Sequence, residues 1–181
     1  MRKVIFSAVA LLLVTATANA VTIYATNNME RPSTGPDSLI MFASANPAAY
    51  TTIGSMNVTN IGFGGLEFDA DGNLWAYASF YKSNGGAAAG LYKVNPATGQ
   101  ATVQGTLSYQ SLEDLAFNPV DGNMYGVRSQ NNVTRLYKVN LVTGAVTNVG
   151  VFTGLAAIQR SIGLACDAQG NIDLADLRAR A

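Results

Sequence analysis

The sequence predicts an all-β fold, a β-propeller-like array of four-stranded antiparallel blades, about three of them in this chain, incomplete or open. Three observations carry that expectation. The stretch LYKVNPATGQATVQG at residues 91–105 recurs with few changes as LYKVNLVTGAVTNVG at residues 136–150. The segments LEFDADGN, LAFNPVDGN and LACDAQGN open at Leu66, Leu115 and Leu164, so the larger unit returns about every 50 residues. Past residue 20 the apolar positions follow a strand rhythm, and Asp-Gly, Gln-Gly and Thr-Gly pairs punctuate them as hairpin turns do. A β-only repeat of this length has the size of one propeller blade.

Residues 1–20 read as a signal peptide. Arg2 and Lys3 precede the apolar run VIFSAVALLLVTA, and Ala18-Asn19-Ala20 has the small-residue pattern of a cleavage site. The run is shorter than the roughly 20 residues that span a bilayer. The protein is therefore expected to be secreted, extracellular or periplasmic, with no membrane insertion once the leader is removed.

The repeat domain is expected over residues 21–181. A partial blade at 22–56 holds the strands TIYATN, SLIMFAS and AYTTIGSM, the last two forming a degenerate relative of the LYKV unit. Whole blades follow at 61–105 and 112–150. In each, a first hairpin turns at Asp-Gly-Asn and a second turns at Thr-Gly, where glycine supplies the positive φ of a tight turn. Leu74, Ala76 and Ala78 alternate with Trp75 and Tyr77, so this strand is apolar on both faces, as a sheet packed between two neighbours requires. A partial blade at 161–176 ends the array with SIGLAC and NIDLAD, and Asp173 stands where other repeats have Trp75 and Tyr125. An unpaired buried carboxylate is costly, so this last blade is expected to be wet and exposed. The strand count falls short of a closed ring, which leaves a shortened relative, an open fold, or a homodimer in which two chains complete one propeller.

Charge and composition exclude several functions. Removing Arg2 and Lys3 from 11 basic residues leaves 9 against 11 acidic ones, a balance that attracts neither nucleic acid nor an anionic membrane. Cys166 is the single cysteine, so no intramolecular disulfide forms, and its GLAC setting predicts a buried structural thiol. The chain has no histidine, which removes the commonest general base and metal ligand. No serine sits in a Gly-x-Ser-x-Gly elbow, and no catalytic residue is assigned. Asp69-Ala70-Asp71-Gly72-Asn73 has the look of a calcium loop, but its glycine arrives too early and Phe80 occupies the place of the closing glutamate. The tail DAQGNIDLADL fails as a calcium loop in the same way. Both read as hairpin turns, and no metal or cofactor is expected.

In a propeller the innermost strand of each blade lines the channel, and ligands gather at its mouth. Residues leading into those strands are Gly64-Gly65, Glu113-Asp114 and Arg160-Ser161. Glu113, Asp114 and Arg160 are the candidate ligand-binding cluster. Adjacent strand residues point to opposite faces, so Glu113 and Asp114 both turn inward only across a bulge.

With LAFNPVDGNMYGV and LYKVNLVTGAVTNVG laid out, the chain resembles secreted bacterial propeller-like repeat proteins of unknown function, over about residues 22–176. The resemblance implies an architecture and leaves activity open, because propellers host hydrolases, lyases and binding modules alike. The expected function is a secreted, non-enzymatic binding or scaffold module for a protein or glycan. One alternative is a propeller-type hydrolase, lactonase or lyase with a carboxylate-bound metal in the channel, for which Glu67, Glu113 and Asp114 are the eligible acids. Another is a truncated remnant of a longer propeller protein.

Overall fold

The computed structural model describes residues 20–27, 35–81, 89–105, 111–131, 133–153 and 163–175. All but the last residue of the leader, the run at 82–88, the segment 154–162 with Arg160, and the residues after 175 lie outside these. The described residues form strands, turns and coil without a helix.

Four antiparallel sheets follow one another along the chain. The first joins β1 (Thr22–Asn27), β2 (Ser38–Ala43) and β3 (Asn46–Ser55) in that order. The second joins β4 (Ile61–Phe68), β5 (Leu74–Tyr81), β6 (Leu91–Val94) and β7 (Ala101–Gln104). The third repeats it with β8 (Asp114–Asn118), β9 (Asn123–Gln130), β10 (Val133–Val139) and β11 (Val146–Val151). The fourth pairs β12 (Gly163–Cys166) with β13 (Ile172–Ala175). Each strand neighbours the next in sequence, so every sheet is a meander, the construction of a propeller blade.

The turns explain why these sequences fold as hairpins. Asp69 Oδ1 accepts the backbone N–H of Asp71 at 3.0 Å and of Asn73 at 2.8 Å, and Gly72 closes the turn at φ 76°. Asp167 does the same for Gln169 and Asn171, with Gly170 at φ 86°. In the outer hairpins Asn95 and Asn140 each accept two backbone N–H groups through Oδ1, from Ala97 and Thr98 and from Val142 and Thr143. A short polar side chain thus replaces the backbone partners that the turn lacks.

The second and third sheets each pack one face on the preceding sheet and the other on the next. In the second sheet, Leu74, Ala76, Tyr92 and Val94 face back and Trp75, Tyr77 and Leu91 face forward, and all are buried. Edge-to-face rings mark the join to the first sheet, with Tyr24 and Phe68 at 5.4 Å. Within the second sheet Phe63 meets Tyr92 at 5.1 Å in the same manner. One continuous core runs through the first three sheets, and a smaller cluster of Ala116, Val127 and Leu164 joins the third to the fourth.

Two details depart from the sequence reading. Gly64 and Gly65 lie inside β4 rather than before it, because Ile61 pairs with Tyr81 and extends the strand upstream. The register shifts around Gly62, Phe63 and Gly65 absorb the extra residues. Gly65 is required there, since a Cβ would sit 2.5 Å from the Leu115 nitrogen, so β4 and β8 meet backbone to backbone. Cys166 is half-buried rather than buried, because it stands at the end of β12 in a sheet of two strands. Asp173 is exposed on the outer face of that sheet, opposite Ala165.

Candidate functional site

The inner strands bring acidic side chains together at the joins between sheets. Asp114 opens β8 and points toward the fourth sheet, where its Oδ2 accepts the Leu164 N–H at 2.7 Å. Its Oδ1 accepts the N–H of Leu115 at 2.9 Å. Burial pushes the Asp114 carboxyl above its ordinary range, and these two N–H groups pull it partly back. Glu67 lies on the forward face of β4 and is also raised, by burial first, against the opposing N–H of Phe68, and then by the neighbouring charge of Asp114. Glu113 precedes the strand, its own N–H donating to the Val127 carbonyl at 2.7 Å. Of the three candidates read from the sequence, Glu113 and Asp114 are thus placed at the start of β8, while Arg160 lies outside the described residues. The acid that accompanies Asp114 is Glu67, from the preceding sheet.

A further acid escaped the sequence reading. Asp37 is fully buried, and its Oδ2 accepts the Phe63 N–H at 3.0 Å, tying the first sheet to the second. The equivalent positions in the LYKV repeats are Ala89 and Thr134, so no repeated signal marks it.

The turn acids are engaged in the same way. Asp69 receives the Trp75 indole N–H at 2.8 Å and the Asn73 amide at 2.9 Å on Oδ2. Burial alone would raise its pKa, but the donors from Trp75, Asn73 and Asp71 outweigh it and hold it low. In the third sheet Asp121 takes that part, receiving the Tyr125 hydroxyl at 2.6 Å, and this bond holds it low. Asp69 and Asp71 therefore belong to a hairpin turn whose carboxylate is filled by donors from its own chain. Among the described residues no three metal-ligating side chains converge.

A different feature repeats between sheets. In the second sheet a groove of about 530 Å³ opens between the two hairpin turns, lined by Asn73, Lys93, Asn95, Gln100, Thr102 and Gln104. Lys93 reaches it from across the Trp75 ring, with Nζ 5.6 Å from the ring centre. The third sheet has its counterpart of about 400 Å³, lined by Asn123, Lys138, Asn140 and Thr147. Lys93 and Lys138 occupy one repeat position, as do Thr102 and Thr147. Both hairpin turns of a sheet lie at the same end of its strands, so the two grooves open on one side of the array. The repeat that reveals these positions was visible in the sequence. That a groove lies between the turns depends on how the two hairpins are spaced within the sheet.

Residues 17–171 match the family described as "Repeat of unknown function (DUF6923)". No curated protein matches the sequence. Among solved structures, a chain of a nidogen/laminin complex superposes with a TM-score of 0.57 at 13% identity, covering 87% of this chain and 54% of that one. TolB from Acinetobacter baumannii gives 0.52 at 15% identity, covering 88% and 36%. A protein of unknown function from Bacteroides thetaiotaomicron gives 0.53 at 22% identity, covering 78% and 37%. The chain thus spans about half or less of the length of these solved chains, and the likeness shows a propeller-like fold.

Proposed function

The chain belongs to the DUF6923 family of repeats, and from that premise we propose that it is an exported, propeller-like binding module that holds a hydroxyl-rich glycan in its repeated grooves. Export rests on residues 1–20, whose basic start, apolar run and Ala18-Asn19-Ala20 pattern are those of a leader.

The observation that carries the binding reading is the groove that recurs in two consecutive sheets. Each groove offers a lysine ammonium and a threonine hydroxyl beside side-chain amides. These are the donors and acceptors that sugar hydroxyls pair with. Two equivalent grooves on one side suit a polymer with its own repeat, because a second weak contact on the same chain adds avidity without a new binding mode. A non-enzymatic role is supported by the acids, since each oxygen of Asp114 already accepts a backbone N–H, and Oδ2 does so from Leu164 of the next sheet.

The test is binding of the full chain to a panel of immobilised neutral and acidic polysaccharides. At least one is expected to bind. Replacing Lys93→Ala and Thr102→Val in one groove together with Lys138→Ala and Thr147→Val in the other is expected to weaken that binding at least tenfold with an unchanged circular dichroism spectrum. Binding to none of the panel, or equal binding by the fourfold variant, would remove the reading.

A further inference from the structure

The only two arginines among the described residues, Arg128 and Arg135, stand directly opposite each other on β9 and β10. Residues paired in this way hold their Cβ atoms about 5 Å apart on one face of the sheet. It is the backward face, the one that carries Tyr137 and Val139, because side chains two and four residues along a strand share a side.

The pairing departs from the repeat. Leu91 aligns with Leu136 and Trp75 with Tyr125, so the second sheet has Gly90 and Ala78 at the same two places. There too the positions meet across the strands, with the Ala78 N–H donating to the Gly90 carbonyl at 3.1 Å. The second sheet thus joins alanine to glycine where the third joins two cations.

Like charges directly opposite each other cost stability unless a counter-charge lies between them. The chain supplies its acids with partners: Asp37, Asp69, Asp114, Asp121 and Asp167 each accept a donor from the fold. It does not do the same for this pair. Among the described residues neither guanidinium makes a hydrogen bond, an ion pair or a ring contact. Both side chains are half-buried, where water screens charge less than at an open surface. On one side along the same face Tyr137 is buried, and on the other Gln130 is exposed at the end of β9. The pair therefore stands where the face passes from core to solvent, within reach of a solute.

We infer that Arg128 and Arg135 form a binding site for a doubly charged tetrahedral oxyanion, a phosphate ion or a phosphomonoester. Two guanidinium groups bring two positive charges and several N–H donors each, in a planar fork that fits a pair of oxygens. A carboxylate neutralises only one of the charges. A phosphomonoester carries about two negative charges at neutral pH and has three terminal oxygens, enough for a fork from each side. The Gln130 amide offers a further donor at the solvent side. Lys138 lies an odd number of residues from Arg135 and so on the opposite face. The site is therefore separate from the grooves proposed for a glycan, and either can fail without the other.

The test is isothermal titration of the full chain with sodium phosphate, and separately with glycerol phosphate, at neutral pH and constant ionic strength. Saturable binding of at least one of them to a single site is expected. Tighter binding of glycerol phosphate would identify a phosphomonoester as the natural group, and tighter binding of phosphate the free ion. Arg128→Met and Arg135→Met keep the apolar stem and remove the charge. Each is expected to weaken binding by about tenfold or more, because a charge-assisted fork is lost. Without phosphate, each variant is expected to melt no lower than the unaltered chain, because a repulsion has been removed. Saturable binding of neither compound, unchanged affinity in either variant, or a variant that melts lower without phosphate would overturn the inference.

Discussion

At the scale of single residues, the carboxylates divide into two groups with opposite responses to pH. Asp69, Asp121 and Asp167 have their pKa values lowered in the folded chain by donors from their own turns. Their contribution is present above the ordinary value of 3.8 and is lost as the pH falls through the folded values. Glu67 and Asp114 are raised, by burial first. Their charged forms disfavour folding at neutral pH, and that penalty fades as the pH falls toward 4.5 for Glu67 and 3.8 for Asp114. Thermal stability is therefore expected to peak in mildly acidic buffer. Glu67→Gln is expected to raise the melting temperature at pH 7 and to leave it nearly unchanged near pH 4, as calorimetry at the two values would read; a fall at pH 7 would show that the charge is stabilising. Asp69→Ala is expected to cost about 1–2 kcal/mol in urea unfolding, because the Trp75 indole and two backbone N–H groups lose their acceptor. The turn role of Asp69 was legible in the sequence because Gly72 aligns with Gly122 and Gly170. The pairing of Glu67 with Asp114 was not, because it depends on how closely two inner strands approach across Gly65, which a one-dimensional repeat does not encode.

At the scale of elements, glycines rather than large side chains set how the sheets meet. Gly65→Ala is expected to destabilise the chain by about 2–3 kcal/mol, because its Cβ would press on the backbone of Asp114 and Leu115. Gly105→Ala is expected to cost a similar amount, since the residue combines φ 69° with contact against Thr143. Gly150→Ala is expected to change the stability by less than about 0.5 kcal/mol, because nothing among the described residues lies within 4 Å of where its Cβ would be. Equal losses at Gly105 and Gly150 in denaturant unfolding would show that Gly150 packs against its own chain. The strands themselves were plain in the sequence, from the alternation at Leu74 to Ala78 and the turns at Asp-Gly and Thr-Gly. Misplaced were the start of β4, where buried Ile61 and Phe63 pull the strand upstream, and the burial of Cys166, which the local apolar pattern overstated because no outer strands flank β13 among the described residues.

At the scale of the whole molecule, the described residues form an array of stacked antiparallel sheets. The repeat period made the propeller-like class legible, and the strands read from the sequence fell short of a closed ring. Which face of each sheet turns to the next was not legible, since it follows from the direction in which the sheets stack. Small-angle X-ray scattering on the sizing-column peak of the full chain tests the array most directly. A folded profile that fits an array of stacked four-stranded meanders is the expected result. The profile of an expanded, partly unfolded chain would contradict it.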